Sequence, residues 1–446
     1  MIHLRLGKPL TCLVITLLIV AWAGLLNAMP PVQRSVRPNG LVLVTSEEHS
    51  LPFVTFSLLI HAGARRDPTG QEGLANLTAR ALLFGTEKQS MTAINEQLDF
   101  MGASLSSDAG RDYAAISLRV LKKDLVAGFK LFTEVLTEPA FPADEVQKEV
   151  TRTLAAIKAS EDDPGEVAER AFMKTLYGTG PYAHPVIGTK ESVERLKPQG
   201  LRDFYRSHYH PNNAIMVIVG DIGDEDLKNA ILPQLEKWET RAVPQSAVEA
   251  SYETGKKTVM IDRPLTQANL ILGHKGITRD NPDFYAVTVM NYILGGGGLT
   301  SRLMEEVREK KGLAYSVYSH FDAGKYQGSF QVVLQTKNSS ARESIKLAVA
   351  ELSRMRTELV SDTELEGAKK YLIGSFPLRF TTQGKIAGFL MQVEYQGLGF
   401  DYAERYPKLI EAVTAQDVIR VAKAYLHPDS YILIAVANLK ETGLEQ

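Results

Sequence analysis

The chain has 446 residues, 44% of them hydrophobic and 23% charged, a composition that fits a soluble globular protein of two to four domains at roughly 100–200 residues each. One cysteine, Cys12, excludes a disulfide-stapled fold and any cysteine-built metal site in the folded part. Fifty basic residues against fifty-two acidic ones leave a formal charge of −2, which gives no electrostatic reason to expect nucleic acid as a partner.

In chain order, the first element is a leader. Arg5 and Lys8 precede an apolar run from Leu10 to Leu26, and Leu26-Asn27-Ala28 offers a small residue for cleavage. Residues 1–28 therefore read as a secretory signal peptide of bacterial type that sends the rest of the chain to the periplasm. At about seventeen residues the run is also at the lower limit for a span, so an uncleaved N-terminal anchor is the alternative. No comparable run comes after it, and no membrane contact is expected beyond the leader.

Strands are predicted at Phe53 to Ile60 and at Ala114 to Val120, interleaved with longer helices. Ser90 opens a periodic run through Ile94, Leu98 and Met101 that Gly102 should stop. Asp144, with Gln147 three residues on, has the pattern of a capping box; the helix behind it should carry Val146, Val150, Leu154 and Ile157 as one apolar stripe. Tyr209-His210-Pro211 runs into the β-branched stretch ending at Asp221, and Leu426-His427-Pro428 runs into the same kind of stretch 217 residues later. The sequence around Asp144-Glu145-Val146 is likewise echoed at Thr363-Glu364-Leu365. The chain thus reads as a duplication. Its two homologous α+β domains, residues 37–240 and 258–438, are joined by a polar linker over 241–257, and each is a mostly antiparallel sheet packed with helices.

Between the first strand and helix stand His61-Ala62-Gly63-Ala64-Arg65-Arg66-Asp67 and then Gly73-Leu74-Ala75-Asn76-Leu77-Thr78-Ala79-Arg80 through Gly85-Thr86. This segment closely resembles the pitrilysin and mitochondrial processing peptidase family of zinc proteases, in which the helix carries H-x-x-E-H. The resemblance runs from about residue 37 to 438 and implies a clam-shaped chain forming one half of a dimer. In active members the two histidines hold zinc from one helical face, and the glutamate is the general base for the bound water. Here Asn76 and Arg80 stand at the histidine positions and Ala79 at the glutamate position. A third ligand is expected roughly 75 residues downstream, where the chain has Ala155-Ala156. A methyl group cannot take a proton, and an arginine has no lone pair for a metal. The chain alone is therefore expected to hold no metal and to have no metalloendopeptidase activity. His208 and His210 form no replacement site, and they and His61 read as structural residues.

The second half keeps more of the pattern. Leu294-Gly295-Gly296-Gly297-Gly298-Leu299-Thr300-Ser301-Arg302 and then Gly312-Leu313-Ala314-Tyr315-Ser316-Val317 resemble the family's Arg/Tyr motif. The resemblance implies that Arg302 and Tyr315 bind substrate. Thr300 or Ser301 should cap the helix, which leaves Arg302 against the positive end of its dipole. An arginine so placed meets either an external anion or carbonyl, or Glu305 and Glu306 nearby. Tyr315 should share a strand face with Val317, Ser319 and Phe321.

These features support two functions. In the first, the chain is the non-catalytic, substrate-binding subunit of a heterodimeric protease that cleaves peptides in an enclosed cavity, with zinc in a homologous partner chain. The alternative is a catalytically inactive structural or peptide-binding protein of the same fold.

Overall fold

The computed structural model describes residues 29–244, 252, 255–326 and 328–444. The predicted leader, Cys12 included, and part of the predicted linker lie outside the described residues. Among the described residues, no helix is long and apolar enough to cross a membrane.

The strands form two sheets. The first contains β1 (Val32–Val36), β2 (Val42–Glu47), β3 (Phe53–Ile60), β4 (Ser104–Ala109), β5 (Ala114–Leu121) and β6 (Ala214–Gly220) in the order β1-β2-β6-β3-β5-β4. The second contains β7 (Lys257–Asp262), β8 (Gln267–Lys275), β9 (Ala314–Phe321), β10 (Ser329–Lys337) and β11 (Ile432–Ala437) in the order β7-β11-β8-β10-β9. Apart from β1, the two orders correspond strand for strand. In each sheet the last strand in sequence inserts between the first two of the shared order, parallel to one and antiparallel to the other. Those inserted strands, β6 and β11, are the two β-branched stretches behind the His-Pro signals. Every residue of both is buried, which is why their sequences run apolar without alternation.

Six helices position the candidate site and tie the halves together: α1 (Leu74–Ala81), α2 (Ala143–Glu161), α3 (Pro164–Tyr177), α4 (Ala341–Thr357), α5 (Asp362–Ser375) and α6 (Gln383–Tyr395). Two of them cross over. From the first half, α3 packs on β8 and β11, where Phe172 and Leu176 join Ile271, Ile432 and Ile434 in one core. From the second half, α6 packs on β3 and β6, where Leu390 and Met391 join Leu59, Val217 and Val219. Each sheet is thus covered in part by a helix from the other half. At about 1.5–3 kcal/mol for each large apolar side chain buried, separating the halves would cost several such terms at once.

Helix ends follow the local sequence with two exceptions. The helix Met91–Met101 is capped by the Ser90 side chain, which accepts from the Ala93 amide, and Gly102 ends it at φ 59°. In contrast, α2 starts one residue before Asp144: Pro142 is its N-cap and no side chain caps it, so the expected capping box does not form. Its buried face is Val146, Glu149, Val150, Thr153 and Ile157, with Leu154 only partly buried. The box forms in the second copy instead, where Ser361 and Glu364 cap each other's amides at the start of α5.

At the edge of the second core, His274 is buried; its Nδ1 donates to the Lys275 carbonyl at 2.9 Å and its Nε2 accepts from the His427 amide at 3.2 Å. Burial, joined by neighbouring His427, pushes its pKa down to about 4. In the unfolded chain a histidine titrates near 6.5, so the folded state resists a proton that the unfolded state takes up. The stability this group contributes is present above about pH 6.5 and is lost as pH falls toward 4. The unfolding free energy measured by urea titration should fall through that window by an amount on the order of 3 kcal/mol from this residue. A His274→Gln variant should show a flatter pH profile, and an unchanged slope would refute the assignment.

Candidate functional site

The degenerate motif lies on α1, which is held by its own sequence. Asp67 accepts the amides of Gly73 at 2.8 Å and Ala75 at 2.7 Å at the start of the helix. Burial pushes its carboxyl up to about 7 against the pull of those two bonds. Gly73 enters the helix at φ 94°, and a Cβ there would meet the Ile187 carbonyl oxygen at 2.7 Å, so only glycine fits.

On this helix each position that the resemblance assigned a zinc function has a structural use. Asn76 is buried and donates through Nδ2 to Asp108 Oδ1 at 2.7 Å and to the Ala109 carbonyl at 3.1 Å, tying α1 to β4. Ala79 is fully buried, and its carbonyl accepts from Ser107 Oγ at 2.6 Å. Arg80 reaches across to α2, where its Nη2 lies 2.7 Å from Glu149 Oε1. Oε1 lacks a hydrogen bond of good geometry, so this contact is an ion pair rather than a directed bond. The Glu149 side chain is 2% exposed, while that of Arg80 is 43% exposed. Ala156 lies on the exposed side of α2. The expected third position is thus not brought to the site, since the residue of α2 that meets α1 is Glu149. The residues that are there do not fit a zinc ion: the amide of Asn76 is committed, Ala79 offers a methyl group, and the Arg80 cation occupies the Glu149 carboxylate. Among the described residues, no group of three or more His, Cys, Asp or Glu side chains could hold a metal.

His208 and His210 are buried with ring nitrogens on backbone carbonyls, Nδ1 of His208 on Phe204 and Nε2 of His210 on Arg206. The ring of His61 lies beside Tyr395. Burial, with Lys325, Arg66 and Arg65 adding to it, holds its pKa down to about 4.

In the second half, two π-wound segments, Tyr292–Gly296 and Met304–Lys310, flank the glycine run. Gly298 takes φ 61°, and Gly295 packs so closely on β9 that a Cβ would meet Ser319 Oγ at 2.4 Å. Neither expected cap forms, because Thr300 Oγ1 donates to the Gly297 carbonyl and Ser301 Oγ to that of Gly298. Arg302 opens the helix, buried at 8% exposure, and its partner is neither Glu305 nor Glu306. It makes a two-pronged pair with Glu364 on α5, Nε to Oε1 at 2.6 Å and Nη2 to Oε2 at 3.0 Å. Burial pushes the Glu364 carboxyl up, but the bonds from Arg302 and Ser361 outweigh it and hold the pKa at about 2.

Tyr315 is placed differently. The β9–β10 register shifts between Gln335 and Thr336, which face Ser316 and Ala314, so Tyr315 is the extra residue of a β-bulge. The bulge takes it out of the face of Val317 and Ser319, which are buried, and leaves it 55% exposed. The expected shared face is therefore broken by one inserted residue. On the helix before β9, Arg308 is the arginine left accessible: its side chain is 44% exposed, and its one ion pair among the described residues is with Glu309 at 3.8 Å. Nothing in the local sequence singles it out, because it obeys the helix-dipole rule that Arg302 breaks.

A cavity of about 890 Å³ lined by Lys130, Arg206 and Trp238 includes none of the predicted site residues.

Comparison with known proteins gives consistent matches. Residues 42–190 match the model of the insulinase family, peptidase family M16, and residues 195–372 match that of the peptidase M16 inactive domain. The uncharacterized zinc protease SCO5738 of Streptomyces coelicolor is 30% identical over 402 residues, covering 89% of this chain and 87% of that protein. The non-peptidase homolog YmxG of Helicobacter pylori is 28% identical over 436 residues, covering 96% and 98%. Among solved structures, the peptidase M16 inactive domain from Pseudomonas fluorescens superposes with a TM-score of 0.85 at 30% identity, over 91% of this chain and 98% of that one. A protease from Helicobacter pylori shares the fold at a TM-score of 0.83 and 19% identity.

Proposed function

The chain belongs to peptidase family M16 as an inactive, peptidase-like member, and from that premise we propose that it is the non-catalytic, substrate-binding subunit of a heterodimeric zinc metalloprotease. Its partner would be a homologous chain with intact H-x-x-E-H. The pair would act in the periplasm on peptides enclosed between the two chains. One observation carries this reading: the two halves have diverged in opposite ways. The metal positions are filled by groups that satisfy one another, Asn76 with Asp108 and Arg80 with Glu149. Tyr315 is turned outward by a bulge, with Arg308 accessible on the helix that precedes its strand. A site under no demand has no reason to present a tyrosine this way.

In chemical terms, the phenol of Tyr315 and the guanidinium of Arg308 would donate to backbone carbonyls of a bound peptide and hold it extended. Arg302, held by Glu364, would position the helix that carries Arg308. Zinc chemistry would belong to the partner.

The test is a peptide-cleavage assay of each chain alone and of the mixture. This chain alone should be inactive, and the mixture should exceed the partner alone by on the order of tenfold or more, as expected if one or more charge-assisted contacts to substrate come from this chain. If the partner alone matches the mixture, the proposal falls and a structural or peptide-holding role takes its place.

A further inference from the structure

The cavity of about 890 Å³ that includes none of the predicted site residues is lined only by residues between Glu87 and Arg241, and three segments of the first half converge on it. The helix Leu125–Thr137 supplies Lys130, the helix Pro198–His208 supplies Arg206, and the turn after the short helix Leu232–Leu235 supplies Lys237. Hydrogen bonds next to each cation hold these segments against one another. Thr133, one turn along from Lys130, donates through Oγ1 to Gln234 Oε1 at 2.8 Å, and Gln234 precedes Lys237 by one turn. Tyr205, beside Arg206, donates through its phenol to the Leu136 carbonyl at 2.8 Å. Phe141, Tyr209 and Trp238, all buried, give the same cavity an apolar wall.

Six lysines and arginines line the cavity against four carboxylates, and three of those carboxylates are already engaged. Glu138 pairs with Lys88 at 2.6 Å, Glu239 pairs with Arg241 at 3.3 Å, and buried Glu134 accepts from Thr86 Oγ1 at 2.6 Å. Arg202 is held on the carbonyls of Ala140 and Phe141. Among the described residues, Lys130, Arg206 and Lys237 have no ion pair and no side-chain hydrogen bond, and all three are exposed. A single unpaired lysine on a surface is ordinary. Three unpaired cations brought from separate segments into one concavity repel one another, and the protein wall focuses their combined field on whatever enters.

The number and kind of cations narrow the ligand. A monovalent anion answers one of the three, whereas an anion with several charges answers all of them. Phosphate groups concentrate charge more than carboxylates do; the fork of an arginine matches two phosphate oxygens, and lysines hold phosphate as point charges. The volume lies within the roughly 300–1,000 Å³ of small-molecule sites and leaves room for more than one phosphate group. We propose that this cavity binds a small anion carrying several phosphate groups, inorganic or organic, through Lys130, Arg206 and Lys237. The site is independent of the peptide-binding role proposed above.

Equilibrium dialysis of the full mature chain against tripolyphosphate, at physiological ionic strength and without divalent cations, measures the phosphate retained. Tripolyphosphate should bind about tenfold or more tightly than orthophosphate, the range of one further charge-assisted contact. Arg206→Gln and, independently, Lys237→Gln should each weaken it by a similar factor. Lys158→Gln, which removes an exposed cation on α2 outside the cavity, should leave it unchanged. All three side chains are exposed, so the variants should fold; melting temperatures verify that, and if one cavity variant is destabilised the other carries the test. Inositol hexakisphosphate, dialysed in parallel, separates the two sources, since the tighter of the two ligands marks the site as one for organic or for inorganic phosphate. No retention, tripolyphosphate binding no tighter than orthophosphate, or an equal loss in Lys158→Gln overturns the inference. Citrate bound more tightly than tripolyphosphate would assign the cavity to carboxylates and overturn it as well.

Discussion

Replacing Arg80 by alanine is expected to destabilise the fold by about 3 kcal/mol, although the residue is 43% exposed. The reason is Glu149. Its side chain is 2% exposed on the inner face of α2, and Arg80 is its close cation at 2.7 Å; Arg152 stands off at 3.4 Å and is largely exposed. Truncating one member of a buried pair typically costs about 3–5 kcal/mol, because the remaining charge has lost its compensation. The exposure of Arg80 and the presence of Arg152 put the value at the lower end. If the pairing is the cause, Arg80→Met combined with Glu149→Leu should recover most of the loss, since neither partner is then left alone. Urea denaturation of the single and double variants measures this directly. A single variant within about 0.5 kcal/mol of the parent, the range of an ordinary surface substitution, would show that Arg80 does not support Glu149. The same logic makes a rebuilt metal site difficult: Arg80→His alone restores a ligand but removes the cation.

The sequence singled out Asn76, Ala79 and Arg80 by resemblance and did not reveal their present partners. Asn76, Ala79 and Arg80 stand in one motif on one helix, so their chemistry was legible from residue type and spacing. Glu149 was hidden because it falls within a stripe shared with Val146, Val150, Thr153 and Ile157, and it is a buried carboxylate whose close cation, Arg80, comes from another helix. The duplication was legible for a different reason. β6 and β11 are buried on both faces, and that demand imprints a continuous apolar run after each His-Pro stop. The exchange of α3 and α6 left no comparable imprint, since a helix shows that it has an apolar face and not which sheet the face meets. Tyr315 illustrates how sensitive a strand is to register. Alternation predicts its face correctly until one inserted residue reverses it.

Arg302 and Arg308 provide the sharpest test of the proposed division between a positioning and a substrate-binding arginine. Local rules single out Arg302, a cation at a helix start, and that anomaly is resolved 62 residues away by Glu364. Arg302→Ala should therefore destabilise the chain by roughly 1.5–3 kcal/mol, the range for hydrogen bonds to a charged group, with Glu364, 30% exposed, regaining some water. Cleavage by the mixture with the proposed zinc-bearing partner should fall only as far as the folded fraction falls. Arg308→Ala should do the reverse. Its one ion pair among the described residues is a long one to adjacent Glu309, so the melting temperature should barely change. If Arg308 donates to a peptide carbonyl in the transition state, its loss removes about 1.5–3 kcal/mol there, and kcat/KM of the mixture should drop roughly ten- to a hundredfold. Tyr315→Phe should lower it by a smaller factor in the same direction, because a neutral hydroxyl is worth about 0.5–1.5 kcal/mol. The opposite pattern, an Arg302 variant that melts like the parent and loses activity, would return the substrate contact to Arg302 and require Glu364 to release it when peptide binds.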